Sequence, residues 1–286
     1  MVELKLYHKE IKYQEFLMSV YTYFRWLSLD IVLGAIFFLA YINCFYALHL
    51  PLVIYAELGL AVWVIYLLDH LIDSRRSTRF FSSRHQFYRD SFTVLSWICL
   101  VAVISACVLL PFLPETIFIN GLMLSLFSCS YLILVKYVPK FWIKEVLIAS
   151  GYTTGLFLVP YSLVESLVWS DYLFFGNLFF IALSNLVVFS IYDLGRDVED
   201  SFPSIVQKIG LLQARKYCVV LLTVSLTIAF VLFTVDSNLG LMFLSMNLIL
   251  ILLLAFPSRF EKNDTFRVIG DGIFYLPLIF MLIGQL

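Results

Sequence analysis

Apolar residues along this chain gather into nine long blocks separated by short polar connections. The blocks cover about residues 27–48, 51–72, 92–112, 115–135, 145–167, 171–192, 214–235, 240–257 and 266–286. Each is long enough to cross a hydrocarbon layer of ~30 Å as a helix rising 1.5 Å per residue. Pro51, Pro111, Pro114, Pro139, Pro203 and Pro257 stand near block ends, where a helix is expected to stop or restart. The pattern predicts an all-α integral membrane protein with nine transmembrane helices.

Composition agrees with this picture. The chain has 286 residues, 62% of them hydrophobic and only 14% charged, where a soluble domain is roughly 25% charged. So few charges cannot cover a water-facing surface, and the apolar excess is assigned to lipid. The 12 Gly and 8 Pro are too sparse for a disordered or fibrous chain. The 5 Cys are scattered through apolar runs without a Cys-x-x-Cys pair, which excludes a disulfide scaffold and a zinc site. No nucleic-acid partner is expected.

The basic residues add orientation. All 19 Lys and Arg fall on the N-terminal segment, on even-numbered connections or in the first turn of the block that follows one, and the odd-numbered connections carry none. The positive-inside rule then predicts a cytoplasmic N-terminus and an outside C-terminus. Residues 1–26 read as an amphipathic segment lying on the cytoplasmic membrane surface, and 27–286 as the nine-helix domain. Two even connections, near 73–91 and 193–213, are roughly twenty residues long, and long connections tend to be functional. The active site is therefore expected on the cytoplasmic side.

Both long connections open on the same arrangement. Span two ends with Asp69 and Asp73, and span six is followed by Asp193 and Asp197. Residues four apart share a helix face, so each pair places two like charges together at mild mutual cost. Acids at a membrane boundary need compensation, which a hard divalent cation such as Mg²⁺ supplies through carboxylate oxygens, water and a substrate's phosphate. Arg75, Arg76, Arg79, Arg84, Lys140, Lys144 and Arg196 lie around the acids and are donors suited to a diphosphate. Acids for metal, bases for phosphate and an apolar bundle behind them describe a site for a phosphorylated lipid.

These residues resemble the UbiA superfamily of intramembrane prenyltransferases. Its members have nine transmembrane helices and two Asp-rich motifs, after helices two and six. Asp69 and Asp73 match the end of the first motif, and Asp193 and Asp197 match the second, Asp-x-x-x-Asp. The stretch from Asp200 through Ser204, Lys208 and Gly210 to Ala214 is similar to the segment restarting the next helix. Ile65 and Tyr66 depart from the family, which usually has Asn and Asp there. The resemblance implies a UbiA-like bundle that transfers a prenyl group from a polyprenyl diphosphate to a lipophilic acceptor in the membrane lipid. It implies Mg²⁺ on Asp69, Asp73, Asp193, Asp197 and Asp200, and Arg75, Lys144 and Arg196 on the diphosphate. Tyr66 and Tyr192 would then face the allylic cation through cation–π attraction.

Asp271, one turn inside span nine, is a candidate for polar substrate or a partner for Arg267. Asn185 reads as a helix–helix hydrogen bond, and Gly151 with Gly155 as a small-xxx-small packing pattern. His70 is placed beside the metal site, His85 on a connection that could cover it, and Glu57 remains unassigned. A UbiA-type terpene cyclase is the alternative within the fold. A cation-coupled transporter is the alternative outside it, disfavoured because transporter sites usually lie at midplane helix breaks.

Overall fold

In hydrocarbon every backbone N–H and C=O must find a partner within its own segment, so apolar blocks of this length become helices. The computed structural model describes residues 20–75, 83–138, 143–199 and 204–284. The described residues are helical throughout their long elements and contain no strand. A short α1, Val20–Trp26, precedes span one, α2 (Leu29–Phe45). Span two is α3 (Leu52–Asp73), followed by α4 (Ser83–Asp90) in the connection. Spans three, four, five and six are α5 (Phe92–Leu109), α6 (Glu115–Tyr137), α7 (Lys144–Leu163) and α8 (Trp169–Tyr192). Two short helices, α9 (Leu194–Glu199) and α10 (Ile205–Ile209), lead to span seven, α11 (Leu211–Val235), and span eight, α12 (Ser237–Ala255). After α13 (Pro257–Phe260), span nine runs as α14 (Thr265–Gly272) and α15 (Leu276–Gly284), joined by a 3₁₀ turn. Among the described residues eight helices are long and apolar enough to cross a membrane, or nine when the bent pair α1–α2 is taken as one span. The chain is an integral, multi-pass membrane protein. The amphipathic segment expected at 1–26 lies outside the described residues up to position 19.

Local chemistry sets the boundaries. Pro51 and Pro114 stand just before spans two and four, where a missing N–H costs nothing. Asp236 caps span eight by accepting from the Leu239 N–H at 2.7 Å. Gly210 has φ 85°, a backbone region that favours glycine, where α10 turns into span seven. The 70° bend between α1 and α2 falls at Ser28, itself left-handed at φ 58°. The carbonyls that the bend frees are taken up from outside: Tyr88 Oη donates to Trp26 O at 3.0 Å and Trp63 Nε1 to Leu27 O at 2.9 Å.

Span six is the central post, packed against spans five, seven and eight and touched by α10 and α14. Where it meets spans seven and eight, Ser225 donates to Asn177 Oδ1 at 2.7 Å and Asn247 Nδ2 donates to Ser225 at 2.9 Å. In its first turn Asp171 accepts from Tyr46 Oη at 2.7 Å, which ties span one to span six. Spans seven and eight close on each other at Gly240, where a Cβ would lie 2.3 Å from Phe233 Cα. This arrangement leaves one end of span six facing the end of span two across an open space.

Candidate active site

The last turn of span two carries Asp69 and Asp73, and the chain leaving span six carries Asp193 and Asp197. All four line one cavity of about 550 Å³. The i,i+4 spacing that predicted each pair thus produces two acid-bearing walls of the same chamber. Bases fill the remaining perimeter: Arg84 from α4, Lys144 from the first turn of span five, Arg196 from α9, Arg267 from span nine and Arg25 from α1.

The two walls differ in how they are held. Asp193 is buried and bonded by Arg267 Nη2, with Arg196 Nη1 at 3.6 Å from its other oxygen. That second oxygen is enclosed without a hydrogen bond. Arg196 also donates to Asp264 Oδ1 at 2.7 Å. Asp69 accepts from Tyr131 Oη at 3.3 Å. Burial pushes the Asp197 carboxyl up to about 6, against the pull of Lys144. An acid in this condition gains from any added positive charge. Burial likewise lowers the His85 imidazole to about 3, helped by Arg84, so it is neutral at pH 7.

Two narrower chambers open beneath the vestibule. One, about 170 Å³, sets the polar side chains Asp30, Asp271, Arg25, Asn185 and His70 into an otherwise apolar lining and is the polar chamber of the two. Arg25 lies 3.4 Å from Asp30 and 3.8 Å from Asp271, bridging both acids. The other, about 110 Å³, lies between spans two, four and five and is almost wholly apolar. Tyr66, Ile148 and Tyr152 line both and form the partition.

Of the residues expected at the site, Asp69, Asp73, Asp193, Asp197, Lys144 and Arg196 meet in the vestibule, and Tyr66 and Asp271 line the chambers below it. Asp200 lies outside the described residues, as do Arg76, Arg79 and Lys140. Tyr192 points elsewhere: its ring stacks on Phe266 at 4.3 Å and its hydroxyl donates to Leu253 O at 2.7 Å. Arg75 stands over the Phe92 ring at 3.9 Å and lines none of the three chambers. Asn185, expected to bridge helices, instead faces the polar chamber with an Oδ1 that has no hydrogen bond. Arg267 pairs with Asp193, which leaves Asp271 to Arg25.

Sequence reasoning missed several participants. Glu145 is buried; its Oε1 accepts from Ser190 Oγ and from the Ile205 N–H, each at 3.0 Å, so it fixes α10 to the end of span six. Its position beside Lys144 hid it among connection charges. Asp30 carried a usable signal, a lone acid inside an apolar block, which in a membrane marks a functional position. Arg25 had none beyond sidedness, because only the bend at Ser28 directs it inward; Arg84, expected among the donors, and Arg267, expected beside Asp271, are turned to the vestibule by the docking of α4 and the packing of span nine.

The four acids present hard oxygen ligands, yet among the described residues no three His, Cys, Asp or Glu side chains converge on one point. The acids are therefore arranged as facing pairs across a gap, not as a closed cage.

No family model matches the chain, and no curated protein sequence matches it. Solved structures do. A UbiA homolog from Aeropyrum pernix K1 superposes with a TM-score of 0.68 at 10% identity, covering 91% of this chain and 99% of that one. A UbiA homolog from Archaeoglobus fulgidus bound to GPP and Mg²⁺ gives 0.64 at 11% identity, over 91% and 99%. A digeranylgeranylglyceryl phosphate synthase gives 0.59 at 13% identity, over 93% and 98%. The chain has the fold of the UbiA homologues.

Proposed function

We propose that this protein transfers a prenyl group from a polyprenyl diphosphate to a lipophilic acceptor within the membrane, with Mg²⁺ as cofactor. The observation that carries the reading is the pair of Asp walls facing each other across one base-lined vestibule. The fold shared with a homologue that binds GPP and Mg²⁺ supports it.

The donor set fits the ion. Mg²⁺ is ordinarily held by one or two carboxylates, its own waters and substrate phosphate, so facing pairs suit it better than a protein cage. Asp193 keeps an enclosed oxygen without a hydrogen bond, an acceptor that a cation would satisfy. Asp69 and Asp73 on one wall, and Asp193 and Asp197 on the other, would hold it. When bound, Mg²⁺ neutralises charge growing on the diphosphate oxygens as the allylic C–O bond ionises.

The chain's own residues do the rest. Lys144 and Arg84 line the vestibule and donate to the diphosphate, with Arg196 reaching it from its partners Asp193 and Asp264. The C–O bond breaks with its electron pair leaving on the diphosphate. The partition residue Tyr66, just below the vestibule, presents an aromatic face to the cation. The acceptor occupies the polar chamber, its nucleophilic atom bonds to the prenyl carbon, and the proton it loses passes to Asp271. A polar chamber beside the reacting carbon favours transfer over cyclisation, which needs no acceptor. The clustering of Lys and Arg at the N-terminal segment and around the even connections supports a cytoplasmic vestibule and N-terminus and an outside C-terminus.

The test is diphosphate release by detergent-purified protein given geranyl, farnesyl and geranylgeranyl diphosphates, with and without Mg²⁺. Metal-dependent release that Asp69→Ala and Asp193→Ala both lose is the expected result. Release that ignores the metal, or survives both substitutions, would overturn the reading.

A further inference from the structure

We infer that the polar chamber selects an uncharged acceptor, a single aromatic ring carrying two or more hydroxyls and no acid group, and that Asp30 sets this choice. The inference deepens the proposed function and rests on it, since it takes the chamber as the acceptor's place. Asp30 stands in the first turn of span one, where an ionisable side chain is costly and marks a functional position. It is held in place: its Oδ1 accepts from the Ile31 N–H at 3.0 Å, and its carbonyl accepts from Tyr275 Oη at 2.8 Å. Arg25 is shared between Asp30 at 3.4 Å and Asp271 at 3.8 Å, so one guanidinium serves two carboxylates. Of the other arginines on the lining, Arg267 is committed to Asp193, and Arg84 also lines the vestibule, where the diphosphate is placed. The chamber thus holds more acid than free base, and a carboxylate brought into it meets like charge.

Asn185 adds a second, independent mark. It lines the same chamber, is only 3% exposed, and its Oδ1 has no hydrogen bond among the described residues. An enclosed amide oxygen left unpaired is costly, and a ligand hydroxyl satisfies it. Asp30, Asp271 and Asn185 therefore present acceptors, and a polyhydric molecule brings the donors. The remaining lining selects a ring. Tyr66, Tyr152, Phe189 and Phe274 stand around the chamber, with Tyr152 and Phe274 edge to face at 5.2 Å. Aromatic side chains pack against a flat ring in offset-stacked or edge-to-face contact. The volume of about 170 Å³ suits one ring, since a cavity of about 150 Å³ takes up benzene.

The experiment measures binding to the full-length protein in detergent with Mg²⁺ and a non-ionisable geranyl diphosphate analogue. The probes are resorcinol and 3-hydroxybenzoate, rings that differ by one hydroxyl exchanged for a carboxylate, with myo-inositol as a polyol that is not aromatic. Resorcinol is expected to bind about ten-fold more tightly than 3-hydroxybenzoate, because the carboxylate meets like charge. Asp30→Asn is expected to narrow that ratio about five-fold by tightening 3-hydroxybenzoate, a gain that loss of packing does not produce. Asn185→Leu should weaken resorcinol about ten-fold, since it removes an acceptor. Binding of 3-hydroxybenzoate as tight as resorcinol or tighter would show that Arg25 and Arg84 govern the chamber, and would overturn the inference. So would an unchanged ratio in Asp30→Asn, tighter binding of inositol than of resorcinol, or no binding of any probe. Binding of the analogue with Mg²⁺ separates the two levels. If the analogue binds and the probes fail, the inference falls and the vestibule reading stands; if the analogue does not bind, both fall.

Discussion

Spans two and six end in the same local device, two aspartates one helical turn apart, but they live in different surroundings. Over an 18-residue apolar stretch, 67% of span six is buried inside the protein and only 17% of span two. The span-six wall is braced on every side: Arg267 and Arg196 hold Asp193, and Glu145 holds the chain that follows. The span-two wall stands at the rim, with Tyr131 from span four reaching Asp69. The span-six wall is preorganised by these contacts. Fixed dipoles and charges lower a barrier most because they need not reorganise. On the proposed function, the span-six wall is the fixed side of the site.

The comparison can be broken first by activity. Asp193→Ala should lower diphosphate release by about 10³-fold and Asp69→Ala by about 10²-fold, the range seen when a charge-stabilising group is removed. Equal losses in a steady-state assay would erase the asymmetry. Next in size is stability. Glu145→Ala leaves the Ser190 hydroxyl and the Ile205 N–H without their acceptor and should cost about 3 kcal/mol. Thermal unfolding in detergent should show a midpoint lower by roughly 5–10 °C, with Glu145→Gln recovering most of it because an amide oxygen still accepts.

A smaller effect sharpens the rim. Tyr131→Phe removes the hydroxyl that orients Asp69 and should raise the half-saturating Mg²⁺ concentration about five-fold, the equivalent of ~1 kcal/mol, with kcat little changed. Metal titration of diphosphate release separates the two. The last test concerns pH. His85 is held near 3 in the folded protein, below an unfolded value of ~6.5. As pH falls below 6.5 the unfolded chain binds a proton that the folded chain refuses, so stability is lost on acidification. His85→Gln should flatten the decline in melting temperature between pH 7 and pH 5, and an identical decline in the variant would show that other groups cause it.

Much of the architecture is legible in the order of residues alone. The nine apolar blocks are the spans, and the aspartate pairs emerge on shared faces because a four-residue spacing is a local property of any α-helix. The wall of the apolar chamber at Gly151 and Gly155 is visible as a motif but not as a wall, since small residues serve close packing and open space equally well. Tyr192 is misplaced by sequence reasoning for a related cause. Adjacent to Asp193, it points about 100° away around the helix axis, and it meets Phe266 and Leu253 instead of substrate.

What the sequence determined by itself is what short-range rules control: which segments cross the membrane, how basic residues divide between the two sides, and which acids share a face. Tertiary structure alone decided which face of each span turns inward. In a soluble helix the apolar stripe announces the core, but lipid is as apolar as a protein interior, so a span that is apolar all round carries no such mark. Packing therefore brought Arg25, Arg84, Arg267 and Glu145 to the vestibule, turned Arg75 onto Phe92, and parted the space below into a polar and an apolar chamber.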